Sequence, residues 1–396
     1  MRKPTAICSI SKRWERWRVS RRRLSAILIL MVLSTEPAFA GPSPINPDFA
    51  DTAILAQLPN VRVNTAQPPS SPEALASQVH EYIRQARSTG DPRFIGYAEG
   101  ILSPWPENRM TDELRVLRAT LYQSQHKFDK ARTDLRTVIQ QGHGPQRLQA
   151  LLTLANVQTV QGRYNQARTA CQQLQQAMPG LISQSCLALV DARTGQASEA
   201  YQTLLAGYRQ ARGAATSEQL WALGTLGDLA DQLDNDKAEQ YWREVLLSNP
   251  DDLYIRAELA DWYLRHHRAQ PVLALTRGYE KVDSLAVLRA IAMRRLDHPD
   301  APTLVQRLRE RFSEARWRGS MLHKRDYARF QLHVENDPEL ALEFALANWK
   351  TQREPPDTRL LLLAAREAGQ TERSRPVRQW LASHHQTDAR YPGDTP

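Results

Sequence analysis

Four alanines, Ala131, Ala167, Ala200 and Ala238, recur along this chain at spacings of 36, 33 and 38 residues. The first three each follow another alanine twelve positions upstream: Ala119, Ala155 and Ala188. A period in the thirties with small residues at two fixed phases is the pattern of stacked helical hairpins. The small side chains fall where the two helices of a hairpin approach most closely, and a larger group there would force them apart. Such a ladder excludes a single closed core and predicts a body in which each unit packs mainly on its neighbours.

Composition agrees with an all-helical reading. The chain has 396 residues, of which 7% are aromatic and only 17 are glycine. Leu, Ala, Gln and Arg, all good helix formers, are abundant, and no stretch sustains period-two alternation, so no sheet is expected. The formal net charge of +9 needs partitioning before it can be read. Residues 1–40 hold nine basic side chains and two acidic ones, +7 of that total. The basic stretch runs into the apolar segment Leu24–Leu33, and Ala38-Phe-Ala40 precedes Gly41. This is the pattern of a secretory signal peptide over residues 1–40, cut between Ala40 and Gly41. The alternative, a retained anchor, runs against the length, since a spanning helix needs about 20 apolar residues. Ser20-Arg-Arg-Arg-Leu24 resembles a twin-arginine signal, but ordinary Sec export accounts for the basic residues equally well. After cleavage the charge falls to about +2, and a nucleic-acid reading loses its basis. The expected compartment is the periplasm, with no transmembrane span in the mature chain.

Residues 41–71 contain six prolines among small polar residues and read as a flexible linker. Ser71-Pro-Glu73 combines an N-cap, a proline at the first helical position and an acid in the first turn, so ordered structure should begin at 72. Turn signals then divide 72–385 into about nine antiparallel helix hairpins, best defined over 111–250. Residues 386–396 read as a disordered tail. Cys171 and Cys186 flank the turn at Pro179-Gly180 nearly symmetrically. In an oxidising compartment the two could form a disulfide; two small buried apolar residues are the other reading.

Leu151-x-x-Leu154-Ala155, then Gln161-Gly-Arg-Tyr-Asn-Gln-Ala167, Leu174 and Pro179 resemble a tetratricopeptide repeat almost position by position. His126–Ala131, Gly195 with Ala200, and Ala238 with Pro250 repeat parts of it. The usual Trp of the first helix is absent at Arg115 and Leu151, the Tyr position holds Gln158 and Asp191, and Leu226 replaces a small residue. The resemblance implies a right-handed superhelical solenoid whose first helices line a concave groove. Phased on Ala155 and Ala167, it implies that Gln149, Leu152, Asn156 and Thr159 face that groove, followed by Ile182, Ser185 and Leu189. Leu152 stands where some family members carry a carboxylate-gripping Lys, and Cys186 where they carry an Asn. Only Asn156 matches that grip, so carboxylate capture is not expected.

The chain contains no HExxH, no GxSxG and no phosphate-cradling glycine loop. His266-His267 and His384-His385 are adjacent pairs, and adjacent helical residues point about 100° apart, which does not suit shared metal ligation. Arg307–Arg311, Arg316–Arg318 and Lys324-Arg325 form the densest basic region, with Glu310, Glu314 and Asp326 interleaved as in an ion-paired face. Asp261-Trp-Tyr263 carries aromatics that suit inter-helix packing. No cofactor, metal or catalytic centre is expected. These features together predict an exported, non-catalytic scaffold that holds an extended or helical segment of another protein in its groove. The competing expectation is an accessory subunit of an envelope machine for polysaccharide export or outer-membrane assembly, acting through the basic C-terminal surface.

Overall fold

The structure is a computed structural model that describes residues 69–211, 216–319 and 321–393. The expected leader, its expected cleavage point and nearly all of the proline-rich segment lie outside the described residues. Among the described residues there are eighteen α-helices and no strand. They pair in sequence as nine hairpins. The first five are α1 (Pro72–Thr89) with α2 (Arg93–Leu102), α3 (Asp112–Ser124) with α4 (Phe128–Gln141), α5 (Gly144–Val160) with α6 (Tyr164–Ala177), α7 (Leu181–Ala192) with α8 (Ala197–Gln210), and α9 (Ser217–Gln232) with α10 (Lys237–Ser248). The last four are α11 (Leu253–Arg265) with α12 (Ala269–Leu275), α13 (Asp283–Arg295) with α14 (Ala301–Trp317), α15 (Lys324–Phe330) with α16 (Pro338–Trp349), and α17 (Pro355–Glu367) with α18 (Arg375–Ser383). The fold is an all-α solenoid of stacked hairpins.

Local chemistry sets the helix ends. Ser71 caps α1 by accepting the Ala74 N–H at 3.2 Å, with Pro72 in the first turn. Thr216 and Gln219 close a reciprocal capping box on α9. Every turn inside a hairpin carries one residue in the left-handed region: Gly90, His126, Gly162, Gly195, Asp234, His267, Asp297, Asn336 and Gly369. In most of them the next N–H reaches back five residues, as Lys127 does to the Tyr122 carbonyl at 2.8 Å and Arg268 to Tyr263 at 2.8 Å. This Schellman geometry satisfies carbonyls that the ending helix leaves open.

The alanine ladder is the packing seam. Ala119, Ala131, Ala155, Ala167, Ala188, Ala200 and Ala238 are all 5% exposed or less. Leu226, the departure in the fifth hairpin, has a packing cause. Trp242 of α10 is wholly buried there, and a Cβ on Gly227 would lie 2.4 Å from its indole nitrogen. The room that Ala provides in other hairpins comes from the glycine beside Leu226, and the indole fills it.

The solenoid also touches itself across long stretches of sequence. The turn of the first hairpin rests on the start of the seventh, where a Cβ on Gly90 would be 2.3 Å from Val282. The second turn meets Gln352, whose amide is 3.4 Å from His126 Nδ1. At the third turn the Arg353 N–H donates to the Val160 carbonyl at 2.7 Å, and the Trp380 ring lies 5.6 Å from that of Tyr164. The fourth and fifth turns carry the segment after α18. This segment, expected from sequence to be a disordered tail, is packed over residues 386–393. Gln386 is 1% exposed and Tyr391 8%. Thr387 accepts from Gln232 Nε2 at 2.8 Å, and the Ala389 N–H donates to the Gln232 carbonyl at 3.0 Å. Its polar composition reads as disorder because the surface that buries it is formed about 150–220 residues earlier in the chain.

Candidate functional site

The first helices of successive hairpins pack on one another, as α3, α5, α7 and α9 do in turn, and two stretches of this row differ in chemistry. On α5 and α7 it is neutral. Gln149 and Asn156 are exposed, while Leu152, Thr159, Ile182 and Leu189 are half-buried. Gln149 donates to Thr153 Oγ1 at 3.2 Å and Thr159 to the Ala155 carbonyl at 2.9 Å, so neither is aimed wholly at solvent. Ser185 is fully buried, with its hydroxyl unpaired, and lies beneath the surface instead of on it. A surface with amide groups at two exposed positions and aliphatic side chains between them suits an extended chain, which needs backbone partners and shallow apolar pockets.

Directly behind this patch, Cys171 of α6 and Cys186 of α7 are joined, with Cα atoms 5.6 Å apart. The bond ties the third hairpin to the fourth, so the two helices that carry the patch sit in fixed register.

Over the later hairpins the inner face is charged and largely self-satisfied. Asp261 of α11 meets Arg359 of α17 at 3.1 Å, Arg265 at 2.9 Å and Arg329 of α15 at 3.6 Å. Burial opposes ionisation of this carboxylate, but the three guanidinium groups outweigh it and hold its pKa far below the usual range. Asp231 receives Arg265 at 2.7 Å and Arg390 of the terminal segment at 3.0 Å, while Arg390 also holds Asp388 at 2.5 Å. These pairs link α9, α11, α15, α17 and the C-terminal segment across the interior. His333 is neutral here. Burial, then Arg329 and Arg359, lowers its pKa to about 4.

An acidic end lies beside that network. Asp228 accepts from Tyr254 Oη at 2.9 Å and from the Trp242 indole at 3.3 Å. Desolvation raises its pKa to about 6. Glu258 makes no hydrogen bond or ion pair with the described residues. Desolvation, then the charges of Asp228, Asp261 and Asp231, lift it to about 8. Tyr254 is shifted upward by desolvation and by Asp228, Glu258 and Glu354. Tyr254 is 53% exposed, so water reaches this part of the interior. On α17, desolvation brings Asp357 to about 7 despite Arg325 at 3.4 Å. At neutral pH Glu258 therefore keeps its proton and can donate a hydrogen bond, whereas Asp228 is mostly ionised and accepts. No group of three or more His, Cys, Asp or Glu among the described residues could hold a metal ion.

The repeat phase pointed to the neutral positions on α5 and α7, of which Ser185 is buried, and not to the charged interior. Two signals were available. Tyr254 and Asp261 occupy groove phases of the sixth hairpin, and the left-handed turn residues recur at intervals of 30–39 over all nine hairpins, beyond the alanine ladder. The adjacent histidines belong to helix ends. His267 and His385 are left-handed, while the His266 ring stacks at 3.8 Å on Trp262 and His384 lies 4.3 Å from Trp380. The basic C-terminal region is mostly paired: Arg309 with Glu335 at 3.0 Å, Arg311 with Asp283 at 2.7 Å and Arg318 with Glu314 at 2.6 Å. No helix among the described residues is long and apolar enough to cross a membrane.

The chain matches no protein-family model, and no curated protein matches it. Among solved structures it is similar to tetratricopeptide repeat proteins. One, from Parabacteroides merdae, is 14% identical, with 73% of this chain and 99% of that chain covered and a TM-score of 0.35. The TPR domain of P58(IPK) is 15% identical over 76% and 89% of the two chains, with a TM-score of 0.21. Human IFIT1, solved as a dimer with m7Gppp-AAAA, is 14% identical over 78% and 81%, with a TM-score of 0.39. At these scores the likenesses carry no reading of ligand or role.

Proposed function

We propose that this chain is an exported, non-catalytic scaffold that holds an extended or helical segment of another protein against the inner face of its third and fourth hairpins. The observation that carries this reading is the contrast between the two inner surfaces. Apart from Glu258, the later hairpins spend most of their inner polar groups on one another and on the C-terminal segment, whereas Asn156 has no partner among the described residues and Leu152, Ile182 and Leu189 stay half open. A solenoid offers such a surface pre-formed, which lowers the ordering cost of capture. The periplasm is the proposed compartment, on the strength of the leader pattern alone.

The reading as an envelope-machine subunit with a basic docking surface is the weaker of the two, because Arg309, Arg311 and Arg318 are already paired. A photo-crosslinker placed at Asn156 in the exported chain tests the leading reading. It should capture a discrete partner that the same probe at Leu247, 85% exposed on α10, does not capture. Leu152→Asp with Leu189→Asp should reduce that capture by about tenfold. Equal capture from both probe positions, or capture unchanged in the double variant, would reject groove binding.

A further inference from the structure

A cleft of about 860 Å³ opens where the first hairpin's turn meets the loop between α12 and α13 and one face of α14. It lies away from the neutral patch, and its lining is basic: Arg277 and Lys281 from the loop, Arg307 and Arg311 from α14. The acids around it are already engaged. Asp91 is held by Arg93 at 2.5 Å, and Glu280 by the Gly278 N–H at 3.2 Å and Arg289 at 3.5 Å. Asp283 is held by Arg311 at 2.7 Å and His323 at 2.9 Å. Arg277, Lys281 and Arg307 form no hydrogen bond or ion pair with the described residues, and Lys281 only acts at longer range on Asp91, which leaves three cations lining one recess.

We propose that this cleft binds an acidic peptide segment. The cations are spread over two elements, with Leu304 between them as an apolar floor. A compact phosphate is best held by convergent backbone N–H groups or a helix N-terminus. Neither is offered here. The Gly278 amide is committed to Glu280, and α13 begins with the acidic Asp283. Separated point charges around an apolar floor match carboxylates spaced along an extended chain, and charge complementarity of this kind also steers encounter.

The test is fluorescence anisotropy of labelled hexaglutamate on the full chain, with hexa-alanine and inorganic phosphate as comparators. Hexaglutamate should bind, weaken about tenfold in R277E/R307E, and weaken further as salt is raised, because the cations are exposed and screened. Circular dichroism should show unchanged helicity in that variant. Should it not, K281E alone must still weaken binding by about twofold or more. Equal affinity in the variants or equal binding of hexa-alanine would overturn the proposal. Displacement by phosphate at concentrations no higher than the peptide's would do so as well, and would mark a phosphate site.

Discussion

Replacing Glu258 by glutamine should make this protein more stable at high pH and leave it unchanged at low pH. The side chain lies among Asp228 and Asp231 of α9 and Asp261 of its own helix, with Arg390 as the facing cation. Its pKa in the folded state is raised from 4.5 to about 8. An acid shifted upward keeps a proton that the unfolded chain has released, so folded stability falls as pH rises between those two values and stays low above them. At 1.36 kcal/mol per pKa unit the full shift has an upper bound of about 5 kcal/mol. Water reaches this part of the interior, and Asp228 shares the repulsion, so the effective cost is smaller, about 1–2 kcal/mol. The amide keeps the shape and cannot ionise. Thermal melts of E258Q should therefore coincide with wild type near pH 4.5 and exceed it by about 2–4 °C at pH 9. A variant less stable than wild type at pH 9, or a difference that does not change between the two pH values, would refute the account of the acidic end.

Three further outcomes test other parts of the structure. Gly227→Ala places a methyl group against the buried Trp242 indole and should cost about 1–3 kcal/mol, read as a lower urea midpoint; an unchanged midpoint would contradict the tight crossing of α9 and α10. Arg390→Ala leaves Asp388 without its guanidinium and takes one of two from Asp231, and should cost about 3–5 kcal/mol while exposing the C-terminal segment to carboxypeptidase; a loss below about 0.5 kcal/mol would show that the segment is held by other contacts. Cys171→Ala with Cys186→Ala opens a link across 15 residues and should lower stability by about 3 kcal/mol under oxidising conditions; reductant should then lower the melting point of wild type and leave the variant unmoved.

Much of the hairpin architecture was legible because its causes are local. Ala155 and Ala167 meet within one hairpin, and the caps at Ser71 and Thr216 act within three residues. Leu226 looked like a broken repeat because the compensating glycine is the next residue and the large partner, Trp242, lies on the following helix. The charged interior was legible only in the phase of single residues, not in their pairing. The repeat phase places Asp261 on the row of first helices but does not pair it with Arg359, 98 residues on. Their meeting depends on how far the superhelix curls, which small angles at many hairpin junctions decide jointly. The packed C-terminal segment escaped for the same reason: Gln386 finds Tyr164 only after the curl is complete.

The contacts between the first five turns and the C-terminal half have a mechanical meaning. A free-ended solenoid behaves as a spring and lengthens smoothly when pulled, because each unit touches only its neighbours. Here Arg353 on Val160, Trp380 on Tyr164 and Arg390 on Asp231 fasten one coil to the next. Extension must first rip these fasteners, so the molecule is stiff up to a threshold load and compliant beyond it. A partner that tugs on either end of the chain would meet a clasp before it met a spring.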